Sequence, residues 1–245
     1  MPALPSSDLK AIVLIPAAGS GRRMGTATSK QYLQLQGKPL LAHTIALFDQ
    51  HPLVEAIYPL VPATDVAYCR QEILDRYQFS RVRRLVAGGK ERQDSVRNGL
   101  KALAEDGYDQ PERPILIHDG ARPLFNPNLL PALLENISAN GACIVAIPAK
   151  DTIKQVIQGQ IVSSPPRSQL WQAQTPQGFC FSILHKAFQQ NDSSDGPATD
   201  DAALVAAAGY TVQVLAGEDR NIKITTPTDL LIATALLDSY KEKSA

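Results

Sequence analysis

Hydrophobic residues along the chain gather in short runs rich in β-branched side chains, and segments with helical spacing separate these runs. Five runs predict β-strands at residues 11–16, 54–61, 82–88, 115–118 and 142–148. Two segments, 94–104 and 228–240, predict helices, because their apolar residues recur on one stripe, namely Val96, Leu100 and Leu103 in the first and Leu230, Ala233 and Leu237 in the second. This alternation favours an α/β fold with a mostly parallel sheet covered by helices on both faces.

One segment, residues 151–171, breaks the alternation. Its pattern is that of two short strands around Gln158 and Gly159 with no helix between them, which predicts a projecting β-hairpin. We therefore expect one domain over residues 1–245, with residues 149–172 forming a β-arm. Because a two-stranded hairpin is only marginally stable alone in water, we expect the arm to rest on a second copy of the chain, in a homodimer.

Composition narrows the choice of partners. The chain has 24 lysines and arginines against 24 aspartates and glutamates, a formal net charge of +0, so no global positive field would attract nucleic acid or a membrane surface. A hydrophobic content of 44% supports a substantial core, but no stretch reaches the roughly 18 to 20 apolar residues of a membrane span. Three widely spaced cysteines form no metal or disulfide pattern, and we expect a cytoplasmic protein.

The strongest motif, residues 15–32, directly follows the first predicted strand. It combines small residues with three cations, namely Ala17, Ala18, Gly19 and Gly21 with Arg22, Arg23 and Lys30. Small residues let backbone N–H groups approach phosphate oxygens, so the motif predicts a phosphate-binding loop. Its glycines have neither the spacing of a dinucleotide fingerprint nor that of a P-loop. A structural turn with solvated basic residues is the alternative interpretation.

A second motif, residues 87–100, follows the third predicted strand. Gly88 and Gly89 permit close approach of the backbone, and Asp94 or Ser95 can cap the next helix. The N-terminal amides of that helix would favour an anion or a polar base edge. Helix capping alone would also explain Asp94 and Ser95.

A third motif, residues 117–123, follows the fourth predicted strand. Asp119 at the end of a strand, with Arg122 nearby, suits a Mg²⁺ ion bridging protein and phosphate oxygens, since Mg²⁺ often uses one or two protein carboxylates. An ion pair between Asp119 and Arg122 that only ties a turn is the alternative. His118 is interpreted as a packed strand residue, because attack by a phosphate on phosphorus needs no strong base.

Further polar residues are scattered along the second half of the chain. They are Arg167 in the predicted arm, Thr199 and Asp200 in the polar segment 191–201, and Lys223 in a short β-like run. Each alone is typical of a protein surface, and Lys223 could equally guard an edge strand.

Six segments, taken together, carry a resemblance to a known family. PAAGSGRRM, KQY, GGKERQDSV, HDGARP, LWQAQTPQ and NIKIT closely resemble, in the same order, the motifs of the 2-C-methyl-D-erythritol 4-phosphate cytidylyltransferases of the non-mevalonate isoprenoid pathway. The resemblance runs from about residue 11 to residue 238. It implies a Rossmann-like nucleotidyltransferase core, a homodimer whose arm crosses to the partner, CTP as co-substrate, Mg²⁺, and pyrophosphate as leaving product.

The resemblance also implies roles for single residues. Arg23 and Lys30 match the arginine and lysine that stabilise the transition state, and Asp119 matches the metal-associated aspartate. The positions matching the methylerythritol phosphate site are Thr152, Arg167, Thr199 and Lys223, with Arg167 expected to reach the partner's site. The positions around the base and phosphates of CTP are Ala17, Ala18, Gly19, Gly89 and Ser95, and Gly21 belongs to the same loop.

Two positions depart from the family pattern, and two other functions stay open. Lys90 stands where an acidic residue is familiar, and Gly120 stands where alanine is familiar. A cytidylyltransferase for another polyol phosphate, such as ribitol 5-phosphate, would have a similar triphosphate loop. A non-catalytic nucleotide-binding regulator is the alternative from a different class, against which the joint presence of Arg23, Lys30 and Asp119 argues.

Overall fold

The computed structural model describes residues 10–19, 30–190 and 199–244. The strands within these ranges are β1 Ala11–Pro16, β2 Gln34–Leu35, β3 Lys38–Pro39, β4 Val54–Val61, β5 Val86–Ala87, β6 Pro114–Ile117, β7 Ala142–Pro148, β8 Gln155–Ile157, β9 Gln160–Ser163, β10 Trp171–Cys180 and β11 Gln213–Ala216. The helices are α1 Leu40–Asp49, α2 Val66–Cys69, α3 Arg92–Glu105, α4 Leu130–Asn140, α5 Phe181–Gln190, α6 Asp201–Ala207 and α7 Pro227–Ser244, and a π-helical segment, Arg70–Asp75, continues α2.

A seven-stranded sheet in the order β11-β7-β10-β6-β1-β4-β5 forms the centre of the described part of the chain. Its neighbouring strands run parallel, except that β10 lies antiparallel between β6 and β7. The predicted α/β class with a mostly parallel sheet is therefore confirmed. The sequence pattern did not predict β10 as a strand, and this strand supplies the antiparallel exception.

Two apolar layers cover the two faces of this sheet. Alternate residues of β1 point to opposite faces, so Val13 and Ile15 pack with α1 and α4, whereas Ile12 and Leu14 pack with α3, α5 and α6. All four side chains are fully buried. Burial on both faces explains why β1 is a continuous hydrophobic run rather than an alternating one.

Several predicted boundaries agree with the structure, and others change. The strands over 11–16, 54–61 and 142–148 have the predicted bounds, whereas the run over 82–88 forms a strand only at Val86–Ala87 and a single bridge from Val82 to Ile57. Helix α3 begins at Arg92, before the predicted start, so neither Asp94 nor Ser95 is the N-cap residue, although Asp94 does take part in capping. Glu91 is the N-cap residue, and the Asp94 carboxylate accepts a hydrogen bond from the Glu91 N–H at 3.1 Å, as in a capping box.

Among the described strands, β8 and β9 pair only with each other and form the hairpin predicted around Gln158 and Gly159. Both turn residues have positive φ, +49° and +80°, as two-residue hairpin turns require. The apolar side chains of the hairpin lie open to solvent, with Val156, Ile157, Ile161 and Val162 each more than half exposed. Elsewhere, no helix in the described ranges combines the length and apolar character needed to cross a bilayer.

Candidate active site

A cavity of about 210 Å³ opens at the carboxyl ends of the central strands. Ligands in open α/β sheets collect at this edge, because loops from neighbouring strands diverge there. Seven of the predicted site residues line the cavity: Ala17, Ala18, Gly19, Gly89, Ser95, Asp119 and Lys223. They come from loops that follow β1, β5 and β6, from the first turn of α3 and from the segment before α7, so the fold brings together residues that are far apart in the sequence.

Gly89 lines the cavity, and the tight packing of its neighbour Gly88 explains why this turn needs glycine. A Cβ atom on Gly88 would lie 2.5 Å from the Ala18 Cβ and 2.9 Å from the Ser95 Oγ, and the Gly88 N–H already donates to the Val61 carbonyl at 2.7 Å. The Ser95 hydroxyl accepts a hydrogen bond from the Gly89 N–H at 3.0 Å and donates to the Glu91 carbonyl at 3.1 Å. Ser95 thus fixes the turn that forms one wall of the cavity.

Asp119 lies at the centre of a cluster of cations. Its Oδ2 lies 3.0 Å from the Lys223 Nζ and 3.2 Å from the Arg122 Nε, and its Oδ1 lies 3.7 Å from the Arg92 Nε. Burial alone would raise the pKa of the Asp119 carboxyl, but Lys223, Arg92 and Arg122 outweigh burial and hold that pKa well below its usual range. The predicted ion pair between Asp119 and Arg122 is therefore present, and Asp119 also lines the cavity.

His118, directly before Asp119, is a packed residue as predicted. It is fully buried, and burial lowers the pKa of its imidazole to about 4. Its Nε2 lies 3.0 Å from the Arg122 carbonyl, which can only accept, so Nε2 carries the proton and Nδ1 accepts from the Thr175 hydroxyl at 3.0 Å. The Thr175 Oγ1 in turn accepts from the Asp119 N–H at 3.0 Å. His118 and Thr175 thereby fix the backbone that carries Asp119.

The sequence analysis missed one residue that lines the cavity and the buried partner of that residue. Arg92, the first residue of α3, lines the cavity, and its Nη2 lies 2.6 Å from Oδ2 of Asp201 at the start of α6. The Asp201 side chain is fully buried. Nothing in the sequence distinguishes Arg92 from Arg97, which lies on the same helix, and only the packing of α6 against this edge of the sheet reveals the pair.

Other predicted site residues lie away from the cavity or outside the described residues. Thr152, Arg167 and Thr199 are exposed and do not line the cavity of their own chain, and the Arg167 Nη1 donates to the Lys150 carbonyl at 2.9 Å. Lys30 begins a short 3₁₀-helix, Lys30–Tyr32, but its side chain is outside the description. The predicted loop residues Gly21, Arg22 and Arg23 lie outside the described residues altogether. The roles of all these residues stay predictions.

The two departures from the family pattern both lie on the cavity. Lys90 is one of its lining residues, so a cation stands where an acidic side chain is familiar. Gly120 faces the Ala17 Cβ, which an added Cβ would approach to 3.0 Å. Alanine at this position would therefore need only a small displacement of Ala17.

The donor set of the cavity fits a Mg²⁺ ion that takes most of its ligands from substrate and water. The described residues hold no cluster of three or more histidines, cysteines, aspartates or glutamates that could form a metal cage. Asp119 is nevertheless ionised, and its Oδ1 has Arg92 no nearer than 3.7 Å, beyond hydrogen-bond distance. One such carboxylate with phosphate oxygens is a common arrangement for Mg²⁺.

Comparison with known proteins agrees with this geometry. The sequence model described as 2-C-methyl-D-erythritol 4-phosphate cytidylyltransferase matches residues 11–239. The protein of that name from Syntrophotalea carbinolica is 52% identical over 227 residues, which cover 93% of this chain and 96% of the relative. Its namesake from Geotalea uraniireducens is 46% identical over 235 residues, which cover 96% of this chain and 100% of the relative.

The fold matches solved structures with the same names. The crystal structure of the Francisella tularensis 2-C-methyl-D-erythritol 4-phosphate cytidylyltransferase is 30% identical, with a TM-score of 0.75, and the match covers 91% of this chain and 98% of the other. The Thermus thermophilus structure is 31% identical, with a TM-score of 0.72 and coverage of 93% and 98%. Since sequence and fold agree over nearly the whole chain, the protein belongs to the 2-C-methyl-D-erythritol 4-phosphate cytidylyltransferase family.

Proposed function

We propose that this chain transfers CMP from CTP to 2-C-methyl-D-erythritol 4-phosphate and releases pyrophosphate. Family membership supports the reaction, and the cavity at the end of β1 is the observation that carries it. The small residues Ala17, Ala18 and Gly89 line that cavity, and so do the ionised Asp119 and the cation Lys223. Small residues that let a ligand approach closely, together with cations, suit a nucleoside triphosphate.

The chemical step is an in-line displacement at phosphorus. An oxygen of the substrate phosphate forms a bond to the α-phosphorus of CTP, and the bond from that phosphorus to the bridging oxygen breaks as pyrophosphate leaves. The protein has little covalent work to do beyond positioning the reactants and neutralising charge. We assign that neutralisation to Arg23 and Lys30, which match the family's catalytic positions, while His118 stays neutral and takes no part.

Asp119 would hold a Mg²⁺ ion brought in with CTP. When bound, this ion supplies positive charge that offsets the negative charge of the triphosphate. The cations around Asp119 keep its carboxylate ionised in the absence of metal, so the site is ready for a divalent ion without a prior loss of protons.

We assign the methylerythritol phosphate to Lys223 together with Thr152, Thr199 and the partner's copy of Arg167. The Lys223 side chain is 38% exposed and lines the cavity, so it can meet a phosphate while its ammonium also pairs with Asp119 at 3.0 Å. Arg167 lies on the arm and points no donor into the cavity of its own chain, which supports a role across a dimer.

The arm supports the proposed homodimer. The hairpin of β8 and β9 leaves four large apolar side chains open to solvent, namely Val156 and its cross-strand partner Ile161 together with Ile157 and Val162. An exposed apolar patch on a projecting element marks an interaction surface. A second copy of the chain is the most economical cover for it, because an exchanged hairpin buries the same patch twice. A cytoplasmic location is supported by the three cysteines, all of which are free thiols.

The decisive experiment is release of pyrophosphate in a coupled assay with CTP, Mg²⁺ and methylerythritol phosphate. Ribitol 5-phosphate and other polyol phosphates in parallel reactions separate the proposed substrate from the related alternative. Lys30→Ala should lower kcat by roughly 10²- to 10³-fold, as loss of one preorganised donor does. CTP binding without turnover on any polyol phosphate would instead favour a regulator, and a normal kcat in Lys30→Ala would remove that residue from the chemical step.

A further inference from the structure

The buried pair of Arg92 and Asp201 lies beside the cavity and belongs to none of the roles assigned above. The Arg92 side chain is 28% exposed and that of Asp201 is fully buried, with 2.6 Å between the Arg92 Nη2 and the Asp201 Oδ2. Burial raises the pKa of the Asp201 carboxyl, and the Arg92 guanidinium opposes that change. A carboxylate buried to this degree is costly to the fold unless its partner stays in place, so the arginine is firmly held.

Arg92 is shared between two carboxylates. Its Nη2 contacts Asp201, and its Nε faces the Oδ1 of Asp119 at 3.7 Å. The other oxygen of Asp119 is already occupied, because Oδ2 has Lys223 at 3.0 Å and Arg122 at 3.2 Å. Oδ1 is therefore the oxygen of Asp119 that can face a ligand in the cavity, and Arg92 is the cation best placed, among the described residues, to occupy it.

We propose that Asp201 is a positioning residue that holds Arg92 back from Asp119 and so keeps the Asp119 Oδ1 available to the divalent cation that accompanies CTP. This inference rests on the proposed function. Without the Asp201 carboxylate, a shift of about 0.8 Å would bring the Arg92 Nε to the ~2.9 Å of a normal hydrogen bond with Oδ1. The partly buried Arg92 guanidinium would then pair with the Asp119 carboxylate, because an unpaired buried charge is costly. Both oxygens of Asp119 would then be paired with protein cations.

The test measures how Mg²⁺ and CTP binding depend on each other, without turnover. Calorimetry gives the Kd of CTP at a series of Mg²⁺ concentrations, and in the native protein the Kd should fall as Mg²⁺ rises. Asp201→Asn keeps the shape and a neutral acceptor, whereas Asp201→Ala removes the acceptor. The Mg²⁺ concentration that gives half of this fall should rise by about 10-fold in the first variant and towards 100-fold in the second, the range typical of residues that orient a metal ligand.

Removing Arg92 as well should reverse the defect. If Asp201 acts through Arg92, the double variant Arg92→Gln, Asp201→Asn frees the Asp119 Oδ1 and should need less Mg²⁺ than Asp201→Asn alone. A matched control is Glu55→Gln, which removes the carboxylate from another mostly buried arginine, Arg113, also paired at 2.6 Å, where β4 and β6 begin. This control should leave the Mg²⁺ dependence unchanged.

The outcomes separate the inference from the proposed function. An Asp201→Asn protein that weakens CTP binding equally at every Mg²⁺ concentration overturns the inference, and so does a double variant that needs as much Mg²⁺ as the single one. If the Asp201 variants do not fold, Arg92→Gln alone tests the inference. Its Mg²⁺ requirement should not rise above that of the native protein, and a rise would overturn the inference. A native protein that does not bind CTP at all would overturn the proposed function, and this inference with it.

Discussion

A single added methyl group at Gly88 should disable the cavity. The Cβ of Gly88→Ala would lie 2.5 Å from the Ala18 Cβ and 2.9 Å from the Ser95 Oγ, whereas carbon atoms in contact prefer about 3.5 to 4.0 Å. The Gly88 backbone cannot retreat freely, because its N–H donates to the Val61 carbonyl at 2.7 Å. The loop that carries Ala18 must therefore move by about 1 Å, a displacement that costs on the order of 10²-fold in rate when it affects bound reactants.

The assay is kcat/KM for CTP in the pyrophosphate-release reaction, with the thermal unfolding temperature measured in parallel. We expect a loss of about 10²-fold for Gly88→Ala and a destabilisation of about 1 to 3 kcal/mol, typical of overpacking. Gly120→Ala is the matched comparison, because its Cβ would stand 3.0 Å from the Ala17 Cβ and needs a smaller displacement. Native kcat/KM in Gly88→Ala, or equal losses in both variants, would refute the steric argument.

Two further predictions concern the core and the arm. Burial lowers the pKa of His118 to about 4, so as pH falls below about 6.5 the unfolded chain binds a proton before the folded protein does, and folding stability is lost between these two values. The free energy of unfolding in urea should therefore fall by about 3 kcal/mol by pH 4, and His118→Gln should lack this loss. Parallel pH profiles of the two proteins would contradict this. If the proposed dimer forms through the arm, Ile161→Asp should give a monomer in light scattering at micromolar concentration. It should also abolish turnover, because the proposed contribution of Arg167 to a partner's site would be lost. An active monomer would contradict the proposed exchange of arms.

Much of the sheet could be predicted because its central strands are hydrophobic on both faces. β1 and β7 are continuous apolar runs, and β4 is interrupted only by Glu55 near its start, so these strands can be recognised without knowledge of their neighbours. Strand β10 was not predicted, because it buries polar side chains rather than a run of apolar ones. The Gln177 Nε2 donates to Asp200 at 2.8 Å, and the Gln174 Nε2 donates to the Glu218 carbonyl at 2.9 Å. Their partners come from distant segments, so hydrophobic periodicity carries no trace of this strand.

The residues of the candidate site likewise fall into those that the sequence could predict and those that it could not. Glycines and an aspartate directly after predicted strands could be placed in advance, because the ends of parallel strands share one edge of the sheet. The pairing of Arg92 with Asp201 depends on how α6 packs against the start of α3, and the order of motifs does not contain that information. The exposed position of Arg167 likewise follows from the hairpin, while its role awaits the dimer experiment.

The course of β10 has a consequence for engineering this chain. The strand begins at the exposed Trp171 beside the arm and continues inward to Thr175, whose hydroxyl accepts a hydrogen bond from the Asp119 N–H. One residue inserted between these two positions would shift the register of the strand ahead of Thr175 and so disturb the hydroxyl that holds the Asp119 amide. The hairpin tip is different, since the space around Gly159 is open. Tags or grafted peptides therefore belong at that tip, where added length leaves the register of the sheet unchanged.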